Sequence, residues 1–169
     1  MIAAVERALQ ALSGAIDRLC SWIAFAALQV MLISILLQVV ARYVFSAPPA
    51  WTEELGRYAM IWASMAGAAM AYYRGADPVM FRLTTKGMPG RALVMQAVEA
   101  VAVLTLAAPV LLYAPSFLAR HSHRITETLE WNSAAVVAVI PATFVVILIH
   151  LSARCARAIR EFNERETVQ

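Results

Sequence analysis

Leu19 to Ala41 and Trp131 to Ala153 are each 23 residues without an Asp, Glu, Lys or Arg, and Ala100 to Ala119 is a third such run of 20. As helices rising about 1.5 Å per residue, all three are long enough for a hydrocarbon core of roughly 30 Å, and a helix satisfies its own backbone inside lipid. Tyr58 to Tyr73 supplies only 16 uncharged residues, or about 24 Å, so a fourth span there must draw on residues before Arg57 or after Tyr73. The expected fold is an all-α integral membrane protein, one membrane domain over 1–169, with transmembrane helices at 19–41, 53–74, 94–119 and 131–153 and a tail at 154–169. Composition agrees, because 62% hydrophobic and 15% charged residues lie outside the range of soluble domains. The first run exceeds the apolar region of a cleaved signal peptide and follows 18 other residues, so it reads as a retained helix.

Charge placement gives an orientation. Of 14 basic residues, 13 are Arg, and most stand at the ends of apolar runs. Counted by segment they fall two before the first span, two, four and two in the successive loops, and four in the tail. Placing both termini in the cytoplasm puts ten inside and four outside, as the positive-inside rule requires. This explains the net charge of +3 without a nucleic-acid partner. Cys20 and Cys155 then lie near the reducing face, and no disulfide is expected.

Ahead of the first span, Ile2, Val5, Leu9, Leu12, Ile16 and Leu19 recur at three- and four-residue spacing, with Glu6, Arg7, Gln10, Asp17 and Arg18 mostly between them. That pattern predicts an amphipathic helix over 2–17 on the membrane surface. After Pro48-Pro49 a new helix should begin, with Thr52 as N-cap, Glu53 and Glu54 in its first turn, and Arg57 within reach of both carboxylates. Ala59, Ala63, Gly67 and Ala71, flanked by Ser64 and Ala68, form a small-residue stripe along which another helix could approach closely. Pro109, Pro115 and Pro141 each remove a helical hydrogen bond and are expected to kink their helices. No soluble domain fits between the spans, and the two halves do not align as an inverted repeat.

Little here supports catalysis. No nucleophile stands with a base, and no catalytic residue, metal or cofactor is expected. His121, His123 and Glu127 offer only a His-x-His pair in a short polar loop, and His150 is the single histidine inside a span, where a haem would need two facing ones. Glu99 is the one acid near membrane depth, readable as an interfacial residue near Arg91, as a partner contact, or as the coupling acid of a self-sufficient proton-coupled carrier.

The densest cluster is Arg42, Trp51, Glu53, Glu54, Arg57, Tyr58 and Trp62. An aromatic belt and a solvated loop explain each singly. Together, on a short span that draws charges toward the headgroups, they point to a second protein. The chain resembles the small membrane subunit, the Q type, of tripartite ATP-independent periplasmic (TRAP) transporters. The residues that carry the resemblance are Arg42-Tyr43-Val44-Phe45, Trp51-Thr52-Glu53-Glu54-Leu55-Gly56-Arg57, Trp62 and Gly67, and more weakly Arg74-Gly75-Ala76 and Ile140-Pro141-Ala142-Thr143-Phe144. Asp77-Pro78-Val79-Met80-Phe81 departs from the family, which commonly has a His-containing pattern there. The resemblance implies a non-catalytic scaffold in the bacterial inner membrane, surrounded by lipid. Its partners would be a large substrate-translocating membrane subunit and a periplasmic solute-binding protein that delivers an organic-acid-type solute. Arg42, Trp51, Glu53, Glu54, Arg57, Trp62, Ala63 and Gly67 are then the expected partner-subunit interface. A related tricarboxylate-type system is the other tripartite reading.

Overall fold

The computed structural model describes residues 2–76 and 89–166, with five helices and, among those residues, no β-strand. They are α1 (Ile2–Val44), α2 (Ala50–Arg74), α3 (Pro89–Ser122), α4 (Ser133–Val137) and α5 (Val139–Glu166). The Asp77–Phe81 departure lies outside the described residues, as do the side chains of Ile2, Val5, Glu6 and Arg91. The five-residue turn between α1 and α2 forces these helices antiparallel, and they pack along each other most extensively. α5 is the hub, touching every other helix, whereas α3 rests mainly on α4 and α5.

The core is made of small side chains. Cys20 and Ala24 of α1 meet Ala66 and Ala69 of α2, with Ile16, Ile23 and Val146 packed around them. Large apolar residues point outward instead: Trp22, Phe25, Ile33 and Leu36 on α1, and Val98, Val101, Leu106 and Leu112 on α3, are all more than half exposed. This small-inside, large-outside arrangement is that of helices whose solvent is lipid, where close backbone approach drives packing.

Three helical stretches are long and apolar enough to cross a membrane: Arg7–Val44, Val94–Ser122 and Ser133–Ala158. The stretch expected as a fourth span, 53–74, does not reach that hydropathy. α2 has the length, 25 residues or about 37 Å, but Glu53, Glu54 and Arg57 at one end, Arg74 at the other and small residues between them lower its hydropathy.

A separate surface helix over 2–17 is corrected. α1 runs unbroken for 43 residues, about 64 Å, because no proline or cap interrupts it. Gly14 sits where the Tyr73 hydroxyl passes 3.5 Å from the place a Cβ would occupy. The segment does not divide into an apolar and a polar face: Leu12 is 49% and Leu19 60% exposed, Arg7 and Arg18 are exposed too, while Ser13 is 2% and Asp17 8% exposed and Ile16 packs against the core. Ser13 and Asp17 turn inward because α5 and α2 offer them partners.

Helix ends follow local chemistry. α2 begins at Ala50 with Pro49 as N-cap and no side-chain cap, so Thr52 is not the N-cap; it lies in the first turn, buried, its hydroxyl donating to the Pro49 carbonyl at 2.7 Å. Its C-terminus closes on Gly75, left-handed at φ 60°, with Gly75 N–H bonded to the Tyr72 carbonyl and Ala76 N–H to that of Ala71. This two-bond cap gives Arg74-Gly75-Ala76 a physical reason, since only glycine adopts that backbone without strain. Pro109 and Pro115 are carried within α3, whereas Pro141 coincides with a break. Lacking an N–H for the Val137 carbonyl, it divides α4 from α5 at Ala138.

Candidate functional site

The dense charged and aromatic cluster of the first loop is built by the end of α1 and the start of α2. Arg42, Tyr43 and Phe45 are exposed, and Ser46 turns the chain with a left-handed φ of 54° before the extended Pro48-Pro49. Trp51 remains 41% exposed on the first turn of α2. Glu53 and Arg57 pair at 2.9 Å, but both side chains are more than 60% exposed, so the pair contributes little to folding.

Glu54 behaves differently from its neighbour. Oε1 accepts from the Tyr58 hydroxyl at 2.5 Å and the Glu127 amide at 3.2 Å, and Oε2 accepts from the amides of Thr128 at 2.9 Å and Leu129 at 3.0 Å and from the Thr128 hydroxyl. Three successive backbone amides converging on one carboxylate form an anion-binding concavity. The loop that supplies them is a closed hairpin: Thr126 N–H bonds the Trp131 carbonyl, Ser133 N–H bonds the Arg124 carbonyl, and Glu130 takes a left-handed φ of 53°. Asn132 then caps α4 by accepting from the Ala134 amide at 2.9 Å. Glu54 thus ties α2 to the hairpin between α3 and α4, 73 to 75 residues away in sequence. Between them lies an open polar cleft of about 600 Å³ edged by Glu53, Arg57, Arg124 and Glu127.

The Thr128 hydroxyl, then Tyr58 and the backbone amides, hold the Glu54 carboxyl at about 2, below its ordinary 4.5. Glu54 precedes the uncharged run of α2, so this applies to a group outside the spans. Its contribution is complete above pH 4.5 and is lost as pH falls through 2. Glu54→Gln should raise amide exchange at Thr128 and Leu129 several-fold at neutral pH, and acidifying the wild type toward pH 2 should lower the protection of the same amides relative to their intrinsic exchange rate at that pH. Unchanged exchange in both experiments would mean that the hairpin is held by other contacts.

Farther along α2 one face is covered and another is not. The buried residues are Thr52, Gly56, Ala59, Ala66, Ala69 and Tyr72, at steps of three, four and seven, so within the chain only Ala59 of the small-residue stripe Ala59, Ala63, Gly67 and Ala71 is buried. A strict four-residue stripe rotates about 40° per step and leaves a straight contact line. Ala63 is half-buried, Trp62 is 36% exposed, Ser64 and Ala68 are exposed, and a Cβ at Gly67 would meet nothing within 4 Å.

At the opposite end of the bundle a second polar group joins four helices. Asp17 of α1 pairs with Arg74 of α2 at 3.2 Å, and Arg74 also donates to Ser21 at 2.8 Å. Ser13 shares a 2.6 Å hydrogen bond with His150 Nδ1 of α5, whose ring lies 5.0 Å from that of Tyr73. Glu99 of α3 pairs with Arg154 of α5 at 2.8 Å, and Arg154 lies over the Tyr72 ring at 5.1 Å. Sequence reasoning considered Asp17 only as part of a water-facing surface and did not single out Ser13 or Thr128. Ser13, Asp17 and Ser21 at four-residue spacing on a mainly apolar helix were the available signal.

His121 is engaged by Ser133, with Nδ1 3.3 Å from its hydroxyl, and by the Phe117 ring at 4.6 Å. Among the described residues no group of three His, Cys, Asp or Glu side chains is placed to hold a metal ion.

Residues 31–161 match the family model described as tripartite ATP-independent periplasmic transporters, DctQ component. The chain belongs to this family. No curated protein matches it. The matched region begins within α1 and includes the α1–α2 turn, the Glu54 hairpin and the Glu99–Arg154 pair, while Ser13 and Asp17 lie before it. In this DctQ component, the Trp51–Arg57 motif therefore divides in two: Glu54 is committed to an intrachain anchor, and Trp51, Glu53 and Arg57 face outward.

Proposed function

We propose that this DctQ component is the non-catalytic small permease subunit of a secondary-active symporter, scaffolding and anchoring a large substrate-translocating membrane subunit in the bacterial inner membrane. The complex imports an organic-acid-type solute delivered by a periplasmic binding protein. α2 crosses the bilayer as a fourth span, its length compensating for its polar ends, and both termini are cytoplasmic. The observation that carries this reading is the uncovered face of α2, where Ser64 and Ala68 stand exposed and a Cβ at Gly67 would meet nothing within 4 Å, with Arg42 and Trp51 exposed at the α1–α2 turn. A helix packed on one side and lined with small residues on the other fits a further helix. Glu99, held by Arg154, serves as a structural acid at the α3–α5 contact and gives the self-sufficient carrier no support.

Tagging the C-terminus in the native host and purifying under mild detergent should recover one large polytopic protein at one-to-one. Trp51→Ala should lower that recovery several-fold while membrane insertion and exchange at Thr128 stay as in wild type. Undiminished recovery would remove the α1–α2 turn from the interface, and recovery of this chain alone would refute the subunit reading. For orientation, a cysteine at Ala47 in a background lacking Cys20 and Cys155 should react with an impermeant thiol reagent in whole cells; labelling only after lysis would reverse the topology.

A further inference from the structure

Val110, Tyr113, Ala114 and Phe117 recur on α3 at spacings of three, one and three, so they form one stripe on one helix face. Against that stripe stand Ile140 and Pro141 at the start of α5, and the two helices leave between them a trough of about 200 Å³. Every lining side chain but one is apolar or aromatic; the exception is Arg120, in the last turn of α3. Pro141 contributes to the wall without a backbone donor, in keeping with its apolar character. Arg120 ends the 20-residue uncharged run Ala100–Ala119, so it stands where the apolar depth of α3 gives way to water. It is exposed and forms no ion pair among the described residues, unlike Arg57, Arg74 and Arg154. Because Cα–Cβ bonds tilt toward a helix N-terminus, its side chain starts out over the turn that contains Phe117 and the mouth of the trough.

An apolar trough at hydrocarbon depth with one uncompensated guanidinium at its interfacial mouth has the polarity profile of a membrane lipid. We propose that this trough binds a glycerophospholipid from the leaflet at the Arg120 end, one acyl chain lying along Val110, Ala114 and Phe117 and the phosphate diester held by Arg120. The planar fork of Arg matches two phosphate oxygens, and a free phosphate would find no partner for the apolar walls. The site requires that the chain is embedded in a membrane and is independent of which protein covers α2.

The test purifies the tagged complex in mild detergent, washes it through increasing detergent, and measures phospholipid retained per chain by extraction and mass spectrometry. Wild type should retain one phospholipid that Arg120→Gln and Ala114→Trp lose several-fold, with Arg120→Lys, which keeps the charge but not the fork, retaining an intermediate amount. Leu112→Trp, at a 77% exposed position outside the trough, should behave as wild type. Circular dichroism confirms that each variant folds, and Arg120→Gln decides the matter if Ala114→Trp does not. A benzophenone amino acid in place of Tyr113, irradiated in native membranes, should give a lipid adduct. Equal retention in all folded variants would reduce the trough to ordinary lipid-facing surface, and a crosslink to the large subunit or to a second copy would assign it to a protein instead; either result overturns the proposal.

Discussion

His150→Ala should lower the thermal denaturation midpoint of the detergent-solubilised chain more than any other single truncation in the bundle. His150 is 1% exposed, Ser13 is 2% exposed, and their 2.6 Å hydrogen bond joins helices 137 residues apart in sequence. Removing the imidazole opens a cavity against Tyr73 and leaves the Ser13 hydroxyl buried without its partner. The two effects together should cost about 2–4 kcal/mol. His150→Asn keeps a polar group toward Ser13 and should lose less. Arg74→Ala attacks the same junction by leaving Asp17 with an uncompensated charge, but Arg74 is half exposed, so solvent softens the penalty. A midpoint unchanged by His150→Ala would show that the polar junction does not hold α1 to α5.

The second large effect is expected at Ala69. It is fully buried against the group of Cys20, Ala24 and Ala66, where the backbones of α1 and α2 are kept apart by little more than methyl groups. Ala69→Leu adds three carbons to a contact with no room for them and should destabilise the chain by about 1–3 kcal/mol. Ala68→Leu, one position along and exposed, should leave the denaturation midpoint of the isolated chain unchanged and instead reduce recovery of the large subunit. If both substitutions act on the isolated chain, the outward face of α2 is not free. If Ala68→Leu changes neither measurement, that face has no partner.

Much of this protein was legible because its helices are long and its breaks are chemically marked. Charge-free runs located three spans, and Pro48-Pro49 located the start of α2. The family match over 31–161 agrees with the resemblance carried by Arg42–Phe45 and Trp51–Arg57. Other features were misread for one reason. Periodicity shows that a helix has two faces without showing what covers each. Asp17 was assigned to the water-facing side of its helix, since a polar residue looks the same in sequence whether water or another helix satisfies it.

The sequence by itself determined that this is a helical membrane chain, where its long apolar runs lie, and the family to which it belongs. Those properties depend on hydrophobicity, backbone hydrogen bonding and turn chemistry within a few residues, all of which are written locally. Only the tertiary structure decided that Glu54 anchors the 124–133 hairpin, that Glu99 belongs to Arg154, and that Ser13 and Asp17 turn inward to His150 and Arg74. Each of those partners is 55 to 137 residues distant, and which pair meets is fixed by how whole helices pack, a choice that no local pattern encodes.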